Sequence, residues 1–232
     1  MKKKVFTILF ALVAIATTAQ AQENTIDGHE YVDLGLPSGT LWATCNVGAS
    51  KPEEYGLYFA WGETKGYTSD TSDGHSFDEA YYKWCNGAGD KMTKYCTNSS
   101  DGNNGFKDNK TELDLEDDAA YVNWGSSWRM PSREQLGELR IQCKWERTKL
   151  NGVYGYKVTG PNGNSIFLPA AGYRRDKLLR YAGSEGCYWS RTLAWLYPRN
   201  ARVLSFDSRN VHGNTFTRFR CLGQSVRPVR QK

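Results

Sequence analysis

Apolar positions along the chain fall into runs of distinct period, and each period predicts an element. Val5 to Ala16 is an apolar run broken only by Thr7, preceded by Lys2, Lys3 and Lys4 and followed by the small-x-small triplet Ala19-Gln20-Ala21. That order matches a secretory leader, and the run is too short to span a bilayer. The expectation is a signal peptide over 1–21 and a short polar lead-in over 22–30. Short strands are predicted within 31–43, either side of Pro37-Ser38-Gly39, and over Tyr58–Gly62. Residues 64–118 are rich in Gly, Ser, Asp and Asn and predict a loop-rich insertion. Ser132 followed by Gln135 forms a capping-box pattern, and Leu136, Leu139 and Cys143 repeat at helical spacing, so a helix is expected over 133–143. Tyr154–Val158 and Ser165–Leu168 flank Gly160-Pro161-Asn162-Gly163 as a hairpin.

Beyond residue 187 the period shortens to two. Tyr188-Trp189-Ser190 reads as a strand, and Leu204 and Phe206 alternate with Val203, Ser205 and Asp207. Alternation predicts one set in the core and the other facing out. Gln224–Val229 reads as a final strand. The sum is an α+β chain, strand- and loop-rich, with one clear helix and one domain over 31–230.

Composition sharpens this reading. Aromatic residues make up 13% of the chain, which argues for a packed core over disorder. The net charge of +5 conceals an asymmetry. Residues 22–173 hold 14 Lys and Arg against 22 Asp and Glu, whereas residues 174–232 hold 13 against 3. Such a basic C-terminal part would steer acidic ligands unless the acidic part neutralises it by packing. No nucleic-acid motif accompanies the charge.

Six cysteines in an export context allow disulfides, and Cys85 with Cys96, either side of a flexible Gly-containing stretch, is the best local pair. No cysteine or histidine spacing fits zinc, and His29, His75 and His212 are isolated. The acidic loops lack the spacing of a calcium hand, so no metal and no cofactor is expected.

Five segments, YVDLGLPSGTLWATCNVGA (31–49), YFAWGET (58–64), WGSSWRMPS (124–132), GYKVTGPNGNSIFLPAAGY (155–173) and QSVRPVR (224–230), resemble the Fibrobacter succinogenes major paralogous domain, a family of secreted proteins of Bacteroidales. The resemblance implies a C-type-lectin-like fold related to the formylglycine-generating-enzyme architecture. Tyr188-Trp189-Ser190, Ala201, Leu204, Phe206, Ser208, Asn210-Val211 and GQSVRPVR (223–230) further resemble the variable proteins of diversity-generating retroelements. In those proteins adenine-directed rewriting, chiefly of AAC codons, diversifies the C-terminal part of the domain.

Residues 187–222 carry an independent sign of such rewriting. Randomising the first two bases of AAC cannot produce Lys, Glu, Gln, Met or Trp. The window contains no Lys, Glu, Gln or Met, and all six of its cationic residues are Arg. Arg is also what any binding face favours, because its planar fork pairs bidentately and stacks on rings. Trp189 and Trp195 would have to be fixed by the template.

The expected ligand-contacting residues are Arg191, Trp195, Tyr197, Arg199, Val203, Ser205, Asp207, Arg209, His212, Phe216, Arg218, Phe219 and Arg220. They make an adhesin-like, calcium-independent surface for an unknown protein or glycan, acidic by preference. The protein would be secreted, periplasmic or on the cell surface. Two other readings stand beside it: a structural or fimbrial surface subunit, and an enzyme like the formylglycine-generating enzyme. The latter needs a close reactive cysteine pair that Cys187 and Cys221 do not match in spacing, so no catalytic residues are expected.

Overall fold

The computed structural model describes residues 24–212 and 216–232. The expected signal peptide (1–21), the first residues of the lead-in and residues 213–215 lie outside that range. Among the described residues no helix is long and apolar enough to cross a membrane.

The chain begins with β1 (Thr25–Ile26) and β2 (His29–Asp33), joined at Asp27-Gly28 with φ of 51° and 78°. Both turn residues are left-handed, the conformation that matches a tight hairpin to strand twist. The lead-in is therefore part of the sheet. β2 pairs with β3 (Leu41–Ala43), and β3 pairs with the last strand, β13 (Val229–Arg230), so the two ends of the domain close in one antiparallel sheet. The expected strand over 58–62 is reduced to isolated bridges, Tyr58 to Tyr67 and Phe59 to Gln224.

Residues 64–118 contain 3₁₀ turns and isolated bridges but no strand or α-helix, yet they are not loose. Phe77, Tyr82, Met92 and Cys96 join Tyr58, Ala60, Ala171 and Cys221 in a small core of their own. Two helices follow. The first, α1 (Ala119–Trp124), is capped by Asp118, whose carboxylate accepts from the backbone N–H of Ala120 and Tyr121. The second, α2 (Arg133–Gln142), begins with the expected reciprocal capping box between Ser132 and Gln135 and buries Leu136 and Leu139.

A three-stranded sheet comes next: β4 (Lys144–Leu150), β5 (Val153–Thr159) and β6 (Ser165–Pro169). Of these, β5 and β6 form the expected hairpin around 160–163. The short hairpin of β7 (Tyr173–Arg175) and β8 (Leu178–Arg180) leads to β9 (Gly186–Leu193) and β10 (Asn200–Phe206). Along one edge β10 pairs with β9, and along the other with β11 (Val211–His212) and then β12 (Thr217–Phe219). Gly186 is required where β9 crosses Phe206, because a Cβ there would sit 2.1 Å from the ring.

The alternation in β10 does not separate core from solvent. It separates two cores. Ala201 and Val203 enter a cluster built on Trp61, Trp128 and Trp189. Leu204 and Phe206 enter a second, with Trp42, Tyr156 and Tyr188. Val203 is fully buried and Ser205 is 4% exposed, so the expectation that both face outward is corrected. A strand with packing on both faces hides both of its side-chain rows, which a period of two cannot reveal.

Tryptophan N–H groups cross-link these layers: Trp61 Nε1 donates to Ser190 O at 2.8 Å and Trp189 Nε1 to Phe59 O at 2.7 Å. In the C-terminal motif Arg227 is buried and works as a staple. Its Nε donates to Asn46 Oδ1, Nη1 to the carbonyls of Ala43 and Thr44, and Nη2 to Phe167 O. The predicted strand over 224–229 is mostly bridges to separate neighbours, Gln224 to Phe59 and Ser225 to Tyr188.

Acidic and basic parts meet across the fold. Asp73 binds the fully buried Arg174 with both oxygens at 2.6 and 3.0 Å. Glu112 meets Arg191 at 2.9 Å, Asp101 meets Arg199 at 3.5 Å and Asp33 meets Lys232 at 2.6 Å.

Candidate functional site

The connection from β9 to β10 carries the most exposed apolar side chains near the C-terminus. Leu193 and Ala194 are buried, then Trp195, Leu196 and Tyr197 stand 58%, 60% and 68% exposed before the chain re-enters the core at Pro198. The loop backbone is fixed. Tyr197 N donates to Ala194 O at 2.7 Å, Asn200 N to Tyr197 O at 2.7 Å and Ala194 N to Asn200 O at 3.0 Å. Thr97 Oγ1, from the insertion, donates to Trp195 O. Large apolar side chains held out from an ordered backbone point to contact with another molecule.

β12 extends this face. Phe219 lies opposite Asn200 in the ladder and is 46% exposed, and the Arg220 N–H donates to Arg199 O at 3.0 Å. Arg199 is exposed beside Asp101. Beyond Phe219 the surface sinks into a groove of about 510 Å³ lined by Phe77, Asp78, Glu79, Arg175 and Asp176. Trp195, Tyr197, Arg199 and Phe219 therefore gather at the start of β10. Phe216, 39% exposed, follows along β12 with its ring 5.1 Å from that of His212.

Asp207 and Arg209 lie at the other end of β10, a strand about 20 Å long by its residue count. There the Asp207 carboxylate accepts from the backbone N–H of Arg209 and Asn210, which holds its pKa below the ordinary value, with a smaller effect from His212. His212 Nε2 is 3.7 Å from Asp207 Oδ2. These residues make a capped turn, with Arg209 exposed. Arg218 is half-buried under the Tyr173 ring and 3.8 Å from Glu185. Arg191 belongs to a different surface, held by Glu112 and the carbonyl of Met130.

Arg220 is corrected from ligand contact to structural core. It is 1% exposed, its guanidinium donates to the Tyr82 hydroxyl and to the carbonyls of Tyr95, Pro198 and Lys94, and it lies 4.9 Å from the Trp61 ring centroid. Charge in this window made it look like a surface residue. The aromatic cage that buries it comes from residues 61–95, far away in sequence.

The Cys85–Cys96 pairing is also corrected. Cys85 Sγ donates to Ala88 O and Cys96 Sγ to Asn98 O, and each is a free thiol. Cys96 is turned into the small insertion core. Burial pushes the Cys187 and Cys221 thiols up to about 12, so both are protonated at neutral pH.

Among the described residues one group of carboxylates is close enough to share a cation, Asp114, Glu116 and Asp117. The Lys94 ammonium already stands among them, 2.8, 3.5 and 2.7 Å away. His29 stacks on Trp124 and His75 on Tyr67, each at 3.7 Å.

Sequence reasoning missed Leu196, Arg175 and the acidic wall of the groove. Leu196 was legible, since Trp-Leu-Tyr is an apolar triplet in a loop. Asp78, Glu79 and Arg175 join only through tertiary packing.

No family model matches the chain, and neither a curated protein nor a solved structure does.

Proposed function

We propose that this protein is an exported, adhesin-like binding protein whose contact surface is formed by the 195–199 loop, Phe216 and Phe219. The observation that carries the reading is the run Trp195-Leu196-Tyr197, exposed on a hydrogen-bonded loop and continued by Phe219. Aromatic and Arg side chains dominate binding hot spots, because they offer large area at small entropic cost. The mixed-charge groove beside Phe219 supplies polar partners for a protein or glycan. Cys187 and Cys221 are both buried, which keeps their thiols from solvent and weakens the reading as a thiol enzyme.

The family resemblance extends the proposal to a C-type-lectin-like domain of the retroelement-diversified kind. The strand-rich α+β architecture, with chain ends joined in one sheet, is compatible with it. Burial restricts which positions can vary: Val203, Ser205 and Arg220 belong to the scaffold, while 196, 197, 199, 208–210, 216 and 219 are free to change. The neighbouring DNA tests this. A near-copy of codons 187–222 beside a reverse transcriptase gene should differ at adenines in the exposed codons and agree at the buried ones. Differences concentrated at Val203, Ser205 and Arg220 would refute it.

Binding is tested with the triple variant Trp195→Ala, Tyr197→Ala, Phe219→Ala on glycan and surface-protein arrays. The variant should lose the wild-type hits while keeping its circular dichroism and melting temperature. Retained hits would remove these residues from the site.

A further inference from the structure

Away from the aromatic face, three arginines from separate parts of the chain line one groove of about 370 Å³, together with Ser127, Gln135 and Gln231. Arg129 and Val229 exchange backbone hydrogen bonds at 3.0 and 2.9 Å, which sets Arg129 beside Arg230. Arg191 reaches the same groove from β9.

Two of these guanidiniums are aimed by carboxylates behind them. Arg129 Nε donates to Asp118 Oδ2 at 2.9 Å, and Asp118 is itself fixed by the N–H groups of Ala120, Tyr121 and Met130. Arg191 Nε donates to Glu112 Oε2 at 2.9 Å, and its Nη1 to Met130 O and Gln135 Oε1. The Nη groups of Arg129 and Nη2 of Arg191 keep their donors. Among the described residues no side-chain hydrogen bond or ion pair holds Arg230, and no carboxylate lines the groove.

We infer that this groove binds an oxyanion (carboxylate, sulfate or phosphate ester) carried on a small polyhydroxylated ligand such as an acidic sugar. Asp118 and Glu112 offset two of the three charges, so Arg230 leaves the groove with net positive charge. Guanidinium forks with spare N–H pairs match the spacing of oxyanion oxygens and form charge-assisted bonds. Ser127 and the Gln231 carbonyl oxygen add neutral hydrogen-bonding groups suited to hydroxyls, while the Gln135 amide, held by Ser132, Thr40 and Arg191, forms a fixed wall. The volume lies within the roughly 300–1,000 Å³ typical of small-ligand sites. The site is independent of the aromatic surface proposed above.

Isothermal titration at constant ionic strength with glucuronate, glucose 6-sulfate, inorganic sulfate and glucose tests it. The acidic sugars should bind at least ten-fold more tightly than glucose. Binding as tight with inorganic sulfate as with glucose 6-sulfate assigns the site to the free anion and overturns the sugar part. Arg230→Gln, which breaks no side-chain hydrogen bond or ion pair among the described residues, should weaken acidic-sugar binding ten-fold or more, whereas Arg209→Gln should not. Equal losses in both variants, or no binding of any acidic probe at millimolar concentration, overturns the inference. The Trp195/Tyr197/Phe219 triple alanine variant should bind these probes as wild type does, which separates this site from the aromatic one.

Discussion

Phe219 and Arg220 are neighbours in the chain and opposites in role. The ring of Phe219 is half in water, whereas the guanidinium of Arg220 sits in a cage of Trp61, Tyr82 and Tyr95 and satisfies three backbone carbonyls. Removing a buried donor strands its acceptors, and that desolvation cost exceeds the net value of the bonds themselves. Arg220→Ala should therefore lose on the order of 3 kcal/mol or more in urea unfolding, and Phe219→Ala less than about 1 kcal/mol. Equal losses would contradict the structural role of Arg220. A second residue-scale expectation concerns acid. The Arg174 guanidinium holds the Asp73 carboxyl below its ordinary value of 3.8, with a smaller contribution from the His75 N–H. A depressed folded pKa stabilises above the unfolded value and is lost as pH falls through the folded one. In urea titrations from pH 7 downward, the stability gap between wild type and Asp73→Asn should be full above about pH 4 and shrink below it. A gap independent of pH would show that Asp73 acts only by packing.

At the scale of elements, β10 decides what the surface can be. Ala201 and Val203 enter one core and Leu204 and Phe206 the other, so the strand supports the exposed loop and turn at its two ends. Val203→Asp places an unpartnered charge beside Trp61 and Trp189 and should cost several kcal/mol or abolish folding. Arg209→Ala, on the exposed turn after β10, should stay within about 0.5 kcal/mol of wild type. Thermal melts of the two variants distinguish a scaffold strand from a display strand, and a well-folded Val203→Asp protein would restore the outward reading. The α2 helix shows the opposite case. Its capping box, its span and its buried Leu136 and Leu139 all follow from local rules, because caps and helical spacing involve residues a few positions apart. The β5–β6 hairpin was legible for the same reason. β4 was not, because Lys144–Leu150 is a largely exposed edge strand with charges at most positions.

At the scale of the molecule, the acidic insertion and the basic C-terminal part are one unit. Lys94 and Tyr95 supply carbonyls to Arg220, Thr97 holds the Trp195 loop, and Asp101 and Glu112 meet Arg199 and Arg191. Part of the charge asymmetry is thus met by pairing across the fold, with Asp33, Asp73, Asp101 and Glu112 each meeting a basic C-terminal residue. Excising residues 64–118 and joining the ends by a short Gly-Ser linker should abolish the cooperative melt and the near-ultraviolet dichroism of the buried tryptophans. A truncated protein that melts as sharply as the full chain would make the insertion an appendage.

The sequence by itself determined what depends on near neighbours: the helix and its cap, the hairpin, the loop-rich character of 64–118, and an aromatic, arginine-rich C-terminal stretch free of Lys, Glu, Gln and Met. The tertiary structure decided which of those C-terminal residues face solvent. Alternation marks two sides of a strand but does not say whether one side or both are covered, and an arginine's charge does not say whether water or carbonyl oxygens surround it. Both answers come from tertiary packing: Trp61 and Trp128 help to cover Val203, and Trp61, Tyr82 and Tyr95 enclose Arg220. Val203 and Arg220 thereby became scaffold, Trp195, Tyr197 and Phe219 remained as the face, and Arg191 joined Arg129 and Arg230 in a groove of its own.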